Sequence, residues 1–165
     1  MTSHSPVAVR TARPDDLLAV LGVHVQQGNR LPGVVSEREQ ETWRYMMAAP
    51  NLTFYLAEID GEVIGTATAM MMPNVTYDCA PTAFVEAVVV VARHRRQGIA
   101  REMLQRVLAD ARAAGCNKVQ LLSHKRHALD GAHRLYTGLG FEPEAEGFRL
   151  YLQEAPVIVR AAKDP

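Results

Sequence analysis

"VEAVVVVARHRRQGIAREML", residues 85–104, holds a strand, a turn and the start of a helix. Valines run from 88 to 91, so the strand expected over 82–91 is apolar on both faces and must be covered on both. From about Gly98 to Ala114, Ala100, Met103, Leu104, Val107, Leu108 and Ala111 fall at i, i+3, i+4, i+7, i+8 and i+11. That spacing makes one apolar stripe on a helix, with Gly115 as its stop. Between strand and helix, four arginines and a histidine crowd into residues 93–101. The first turn of a helix carries unpaired N–H groups and a partial positive charge. Gly98 lets a ligand approach the backbone there, and arginine adds forked donors. The combination suits a pyrophosphate better than a lone carboxylate. Taken alone, the same arginines could form a solvated surface turn.

Working outward, the remaining elements follow from local signals. "VAVRT" (7–11) reads as a strand, and "RPDDLLAVLGVHV" (13–25) as a helix with Pro14 and two aspartates at its start. Residues 36–48 form a second helix, with Ser36 and Glu39 as a capping box and Pro50 beyond its end. "LTFYLAEIDGEVIGTATAMMM" (52–72) is a hairpin that turns at Asp60 and Gly61. "KVQLLS" (118–123) is a strand. A helix from about Asp130 to Leu139 puts Ala132, Leu135, Tyr136 and Leu139 on one face, with Gly140 as its stop. "FRLYLQ" (148–153) and "VIVR" (157–160) read as closing strands. The order predicts an α/β (α+β) domain built on one central mixed sheet, with residues 1–165 as one unit.

Composition narrows the function. The formal net charge is zero, which argues against a nucleic-acid coat. No run reaches the roughly 18 apolar residues that span a bilayer, and "MTSHSPVAVR" has no signal-peptide pattern. Two cysteines, Cys79 and Cys116, are too few for a disulfide framework, so reduced thiols and a cytoplasmic location are expected. The six histidines show no metal-ligand spacing, and no metal site is predicted.

The phosphate loop can be typed by exclusion and by match. A Walker loop needs Gly-Lys-Ser/Thr, which is absent, and a dinucleotide fingerprint needs three glycines where one stands. R/Q-x-x-G-x-G/A does match, with Arg95, Gly98 and Ala100 at its fixed positions. Here the chain resembles the GNAT superfamily of N-acetyltransferases. "AHRLYTGLGFEP" (132–143) is similar to that family's second signature, a tyrosine-bearing helix followed by Gly-Phe. "VRTARPDDLLAV" (9–20) and "LAEIDGEVIGTA" (56–67) resemble its opening strand-helix and its hairpin, and the likeness runs from about residue 7 to 153. Ala100 stands where glycine is commoner, and Asp130 where many members carry an asparagine near the cofactor.

The resemblance implies a central mixed, mostly antiparallel sheet of six to seven strands. About four helices flank it, and it splays between the fourth and fifth strands. It implies acetyl-CoA as cosubstrate, with its pyrophosphate held at Arg95, Arg96, Gln97, Gly98, Ile99, Ala100 and Arg101. The main chain of Val88, Val89 and Val90 would pair with the pantetheine arm, and one N–H there would meet the developing oxyanion. Arg93 and His94 are expected to be surface.

Acetyl transfer to an amine needs a base for the nitrogen and an acid for the leaving thiolate. Free alkylamines titrate near pKa ~10, so most carry a proton at neutral pH. Glu86 is the candidate base, a carboxylate in an apolar strand that must face a wet cleft or a partner. Strand parity groups it with Phe84, Val88 and Val90. In the resembling enzymes a glutamate at this position lies near the acceptor amine; a structural ion pair is the alternative. Tyr136 is the candidate acid, as the family's tyrosine is; a core aromatic is its alternative.

Residues 14–50 and 73–81 would shape the acceptor pocket, with Met70, Met71 and Met72 either lining it or filling the core. His124, Lys125, Arg126 and His127 form either a solvated loop or a grip on an acidic group. The function expected is transfer of acetyl from acetyl-CoA to a small-molecule primary amine by direct attack in a ternary complex. A peptide or protein N-terminal acetyltransferase and a non-catalytic acyl-CoA sensor are the alternatives. A homodimer is an expectation by resemblance.

Overall fold

Five strands pair in the order in which the chain makes them, β1-β2-β3-β4-β5. They are β1 (Ala8–Thr11), β2 (Leu52–Ile59), β3 (Glu62–Met72), β4 (Thr82–Val90) and β5 (Lys118–Leu121). The first four are antiparallel neighbours, and β5 runs parallel to β4. The helices are α1 (Leu17–Gln26), α2 (Glu37–Ala48), α3 (Ile99–Ala113) and α4 (Ala132–Thr137). This computed structural model describes residues 6–26, 32–128, 131–150 and 152.

Local chemistry explains most boundaries. The Ser36 hydroxyl accepts from the Glu39 N–H at 3.2 Å, and the Glu39 carboxylate accepts from the Ser36 N–H at 2.8 Å. This is the predicted capping box at the start of α2. At the end of α3, Gly115 donates to the Arg112 carbonyl at 3.0 Å and Cys116 to the Ala111 carbonyl at 3.0 Å, with Gly115 at φ +72. Those two bonds form a Schellman stop. Asp60 and Gly61 both have positive φ, as a tight hairpin turn between β2 and β3 demands.

Each face of the sheet has its own core. On one face Tyr55, Ala67, Ala69 and Val85 pack with Ile99, Met103, Leu104 and Val107 of α3, all fully or nearly fully buried. Gly65 permits this close approach: a Cβ there would meet Met103 Cε and the Val89 carbonyl oxygen, each at 3.1 Å. On the other face Val20 of α1, Trp43 of α2, Phe54 and Leu56 form a second cluster. Trp43 meets Phe54 edge-on at 5.3 Å between ring centroids and donates Nε1–H to the Pro14 carbonyl at 2.8 Å.

The β4–β5 ladder runs only from Thr82 with Lys118 to Val85 with Leu121. The splay expected between the fourth and fifth strands therefore begins just before Glu86.

Some expectations need correction. The sheet has five strands among the described residues, not six to seven. Residues 148–150 and 152 alternate as a strand should, yet they take no strand conformation. Phe148, Leu150 and Leu152 are 88%, 85% and 89% exposed. A period-2 pattern shows that a segment suits a pleat, but a strand also needs an edge to pair with. Residues 157–160 lie outside the described residues. α4 runs over Ala132–Thr137, shorter than the expected span to Leu139, while Gly140, at φ +91, makes the expected stop through its own N–H to the Thr137 carbonyl and the Phe141 N–H to the Tyr136 carbonyl; Asp130 lies outside the described residues.

The strand parity expected for Glu86 holds toward Phe84 and fails toward Val88 and Val90. Thr68 pairs with Glu86 but Thr66 pairs with Val89, so β4 holds one extra residue in a bulge around Ala87, whose φ is +52. Cross-strand partners share a face. Glu86 therefore sides with Phe84 and Val89, on the Phe54 and Leu56 face, while Val88 and Val90 turn to the α3 side.

Candidate active site

The end of β4 and the start of α3 build the site from the backbone outward. Val91 extends the pairing by donating to the Ile64 carbonyl at 2.9 Å, and a 3-10 turn follows over Ala92–His94. Arg96 and Gly98 then take left-handed conformations, at φ +65 and φ +87. A left-handed arginine is uncommon and strained, and such residues gather at ligand-binding turns. The first bond of α3 runs from the Glu102 N–H to the Gly98 carbonyl at 3.1 Å. That bond leaves the N–H groups of residues 98–101 without an acceptor inside the helix. Gly98, the N-cap, offers no side chain to satisfy them. A row of amides at a helix start, opened by a left-handed glycine, is an anion cradle. The residues fit the diphosphate expected of acetyl-CoA.

The arginines have diverged in role. Arg93 ion-pairs with Glu62 on the hairpin and donates Nε–H to His94 Nε2 at 3.1 Å. It ties the loop to the sheet, in line with its expected surface place. Arg95 donates Nε–H to the Val90 carbonyl at 3.2 Å, folding back over the strand end. Gln97 Nε2 donates to the Arg93 carbonyl at 3.3 Å. Arg96 lies against α4: a Cβ built on Gly131 would meet its Nη1 at 2.9 Å. Arg101 Nη1 donates to the Gly138 carbonyl at 3.1 Å. Ile99 is buried and anchors the loop, and Ala100 is half-buried beside it.

Glu86 is exposed at the bulge, as a carboxylate in an apolar strand should be. Thr66, fully buried, donates Oγ1–H to the Ala87 carbonyl at 3.2 Å and holds that bulge. Val88, Val89 and Val90 are half-buried, beyond the end of the β4–β5 ladder. Tyr136 is half-buried on α4, with its ring edge-on to Phe141 at 6.0 Å between centroids. Its carbonyl accepts from the N–H groups of Leu139 and Phe141, each at 3.0 Å, so the Gly-Phe turn closes on the tyrosine. Gly140 makes that turn at φ +91.

The strand, loop and helix therefore bring Glu86, the valine backbone and the loop amides into one continuous stretch, and Arg96 and Arg101 join that stretch to the helix of Tyr136. The Acetyltransferase (GNAT) family model matches residues 24–141. The chain belongs to the GNAT acetyltransferase family. It is 29% identical over 113 residues to an aminoglycoside N(6')-acetyltransferase type 1 of Serratia marcescens, covering 67% of this chain and 76% of that one. In fold it is similar to a glucosamine-6-phosphate N-acetyltransferase from Arabidopsis thaliana, with a TM-score of 0.76 at 16% identity over 90% of this chain and 100% of that one. It is also similar to the aminoglycoside N-acetyltransferase AAC(6')-Iy in complex with CoA, with a TM-score of 0.73 at 22% identity over 94% and 99% of the two chains.

Other candidates fall elsewhere in this GNAT fold. Met70 and Met72 are partly exposed at the end of β3, whereas Met71 accepts a weak bond from Cys116 Sγ at 3.4 Å. Burial pushes the Cys116 thiol up, so it is a poor nucleophile. His124 and His127 meet edge-on at 6.5 Å. Among the described residues no cluster of three or more histidine, cysteine, aspartate or glutamate side chains could hold a metal ion. Among them, too, no helix is long and apolar enough to cross a membrane.

Sequence reasoning missed a network under the first helix. Arg10 forks Asp16 at 2.7 and 2.8 Å and donates Nε–H to Glu58 at 2.6 Å. The Arg10 hydrogen bond holds the Asp16 carboxyl below its usual range, and Asp16 in turn raises Arg10. A second missed bond runs from Tyr55 Oη–H to Asp110 Oδ2 at 2.9 Å, and burial first, then Asp110, pushes the phenol up. Asp15 and Asp16 were legible as a helix start, but nothing local says that Arg10 will reach Asp16.

Proposed function

We propose that this chain acts as one domain that transfers the acetyl group of acetyl-CoA to a primary amine of a small molecule, by direct attack in a ternary complex. The observation that carries the reading is the left-handed turn at Gly98, which presents the first amides of α3 directly after the splayed end of β4. The loop of residues 95–100 binds the diphosphate through these amides, with arginine charge around it.

Acetyl-CoA supplies a thioester as the acetyl donor. Glu86, on the α1 and α2 face of the sheet, takes the proton from the acceptor nitrogen, directly or through a water. The nitrogen lone pair then forms the N–C bond. A main-chain N–H among Val88, Val89 and Val90 donates to the carbonyl oxygen as it gains charge; one such donor is typically worth about 3 kcal/mol. As the C–S bond breaks, the Tyr136 phenol gives its proton to the departing sulfur, and the second proton that the nitrogen sheds on becoming an amide restores the phenol. The balanced outcome is an amide, a free thiol and one proton passed from the acceptor to solvent.

Aminoglycosides come first among acceptors, because the curated relatives carry that name. The free thiols Cys79 and Cys116 support a reducing, cytoplasmic setting. The test is thiol release from acetyl-CoA across a panel of aminoglycosides, amino sugars, polyamines and N-terminal peptides. Turnover with a small amine is expected. Turnover with peptides alone, or CoA binding with no turnover on any amine, overturns the reading.

A further inference from the structure

α4 is a poor candidate to hold its own orientation. It has six residues, none of them fully buried; Leu135 and Tyr136 pack only partly against the core, and a helix this short gains little from its own hydrogen bonds. His133 Nε2 on this helix is buried without a hydrogen-bond partner among the described residues, which costs further stability. Both ends of α4, however, lie against arginines from the anion loop and the start of α3. At its first end a Cβ on Gly131 would stand 2.9 Å from Arg96 Nη1. At its last end Arg101 Nη1 donates to the Gly138 carbonyl at 3.1 Å. A Cβ on Gly138 would meet Arg101 Nη2 at 2.8 Å and the Arg134 carbonyl oxygen at 3.0 Å. A cation at a helix C-terminus also meets the favourable end of the helix dipole.

We infer that Arg101 is a positioning residue for Tyr136: its bond to Gly138 sets α4 against the first turn of α3, and so fixes where the phenol stands relative to the cofactor loop. Its guanidinium is directed at α4, so Arg101, expected among the pyrophosphate residues, acts in this reading on Tyr136 rather than on the anion. The same turn that binds the anion thus aligns the proton donor, and the glycines at 131 and 138 leave room for the arginines to do so. This inference rests on the reading of Tyr136 as the acid.

The experiment is a double-mutant cycle on purified enzyme, with kcat and the CoA dissociation constant measured separately. Tyr136→Phe is expected to lower kcat by about 100-fold. Arg101→Ala should lower kcat by about 10-fold or more, since a displacement of about 1 Å is costly in an active site. The CoA dissociation constant should stay nearly unchanged. Arg101→Lys should recover part of the rate, and Gly138→Ala, which crowds Arg101 off its acceptor, should mimic Arg101→Ala. In the double variant, Arg101→Ala should add no further loss to Tyr136→Phe, because both act on one step. A full additional loss in the double variant overturns the inference, as does weaker CoA binding at unchanged kcat. If Tyr136→Phe is slow and Arg101→Ala is not, only the positioning role falls. If Tyr136→Phe is silent, the acid reading falls and takes the inference with it.

Discussion

Thr66 Oγ1 donates to the Ala87 carbonyl at 3.2 Å, across the bulge that lies beside Glu86. The hydroxyl is fully buried and bonds the residue whose φ of +52 inserts the extra position into β4. A bulge next to a functional side chain re-aims it. Thr66→Val keeps the shape and removes the bond, leaving the Ala87 carbonyl with one partner fewer. A loss of about 1 kcal/mol in denaturant unfolding is expected. If the bulge aims Glu86, kcat should fall as well, and Thr66→Ser should restore it. A stable, slow Thr66→Ser would contradict this role.

Glu86→Gln removes the proposed base and leaves the strand intact. The rate should fall by about 100-fold, mainly at low pH where the acceptor is protonated. The pH profile of kcat/KM is the measurement. A variant whose profile matches the parent enzyme retires Glu86 as the base.

Gly98→Val acts through the backbone. Among the described residues, apart from its chain neighbours, no atom lies within 4 Å of a Cβ built at Gly98, so they do not crowd a side chain there. The φ of +87 does oppose a β-branched residue, at a cost of about 1–3 kcal/mol. Calorimetric titration should show CoA binding abolished, while circular dichroism still reports the fold. Normal CoA affinity in this variant would place the diphosphate elsewhere.

Acid should destabilise the protein in two stages. Burial lowers the pKa of His24, so the unfolded chain takes up its proton first as pH falls below about 6.5, and stability declines from there. Asp16 is lowered by its bond to Arg10, so its contribution is intact above about pH 4 and is lost as pH falls further, through the folded value. Thermal melts between pH 7 and 3 should show both stages. His24→Gln should remove the upper one and leave the lower. A melt curve of His24→Gln parallel to the parent's over pH 7 to 5 would count against the first stage.

Much of the fold was legible because its signals are local. Ser36 and Glu39 cap α2 wherever α2 goes, and Gly115 ends α3 through bonds to its own last turn. The turn into α3 was legible for the same reason: Gly98 can take a φ that other residues resist, just where helical spacing begins. The parity of Glu86 was not, because the extra residue at Ala87 shows only when β4 lies against β3. Nor could the sequence separate Arg93, Arg95 and Arg101, which end on Glu62, Val90 and Gly138, from Arg96, which lies close to Gly131.

By itself, then, the sequence determined the order of the described elements, several of their caps and turns, and the strand-loop-helix unit with its left-handed glycine, since periodicity and backbone φ act over a few residues. The tertiary structure alone decided which face Glu86 takes, where β4 and β5 part, that residues 148–150 form no strand, and which arginine reaches which partner. Those outcomes depend on segments far apart in the chain meeting at particular distances. No local preference encodes such a meeting.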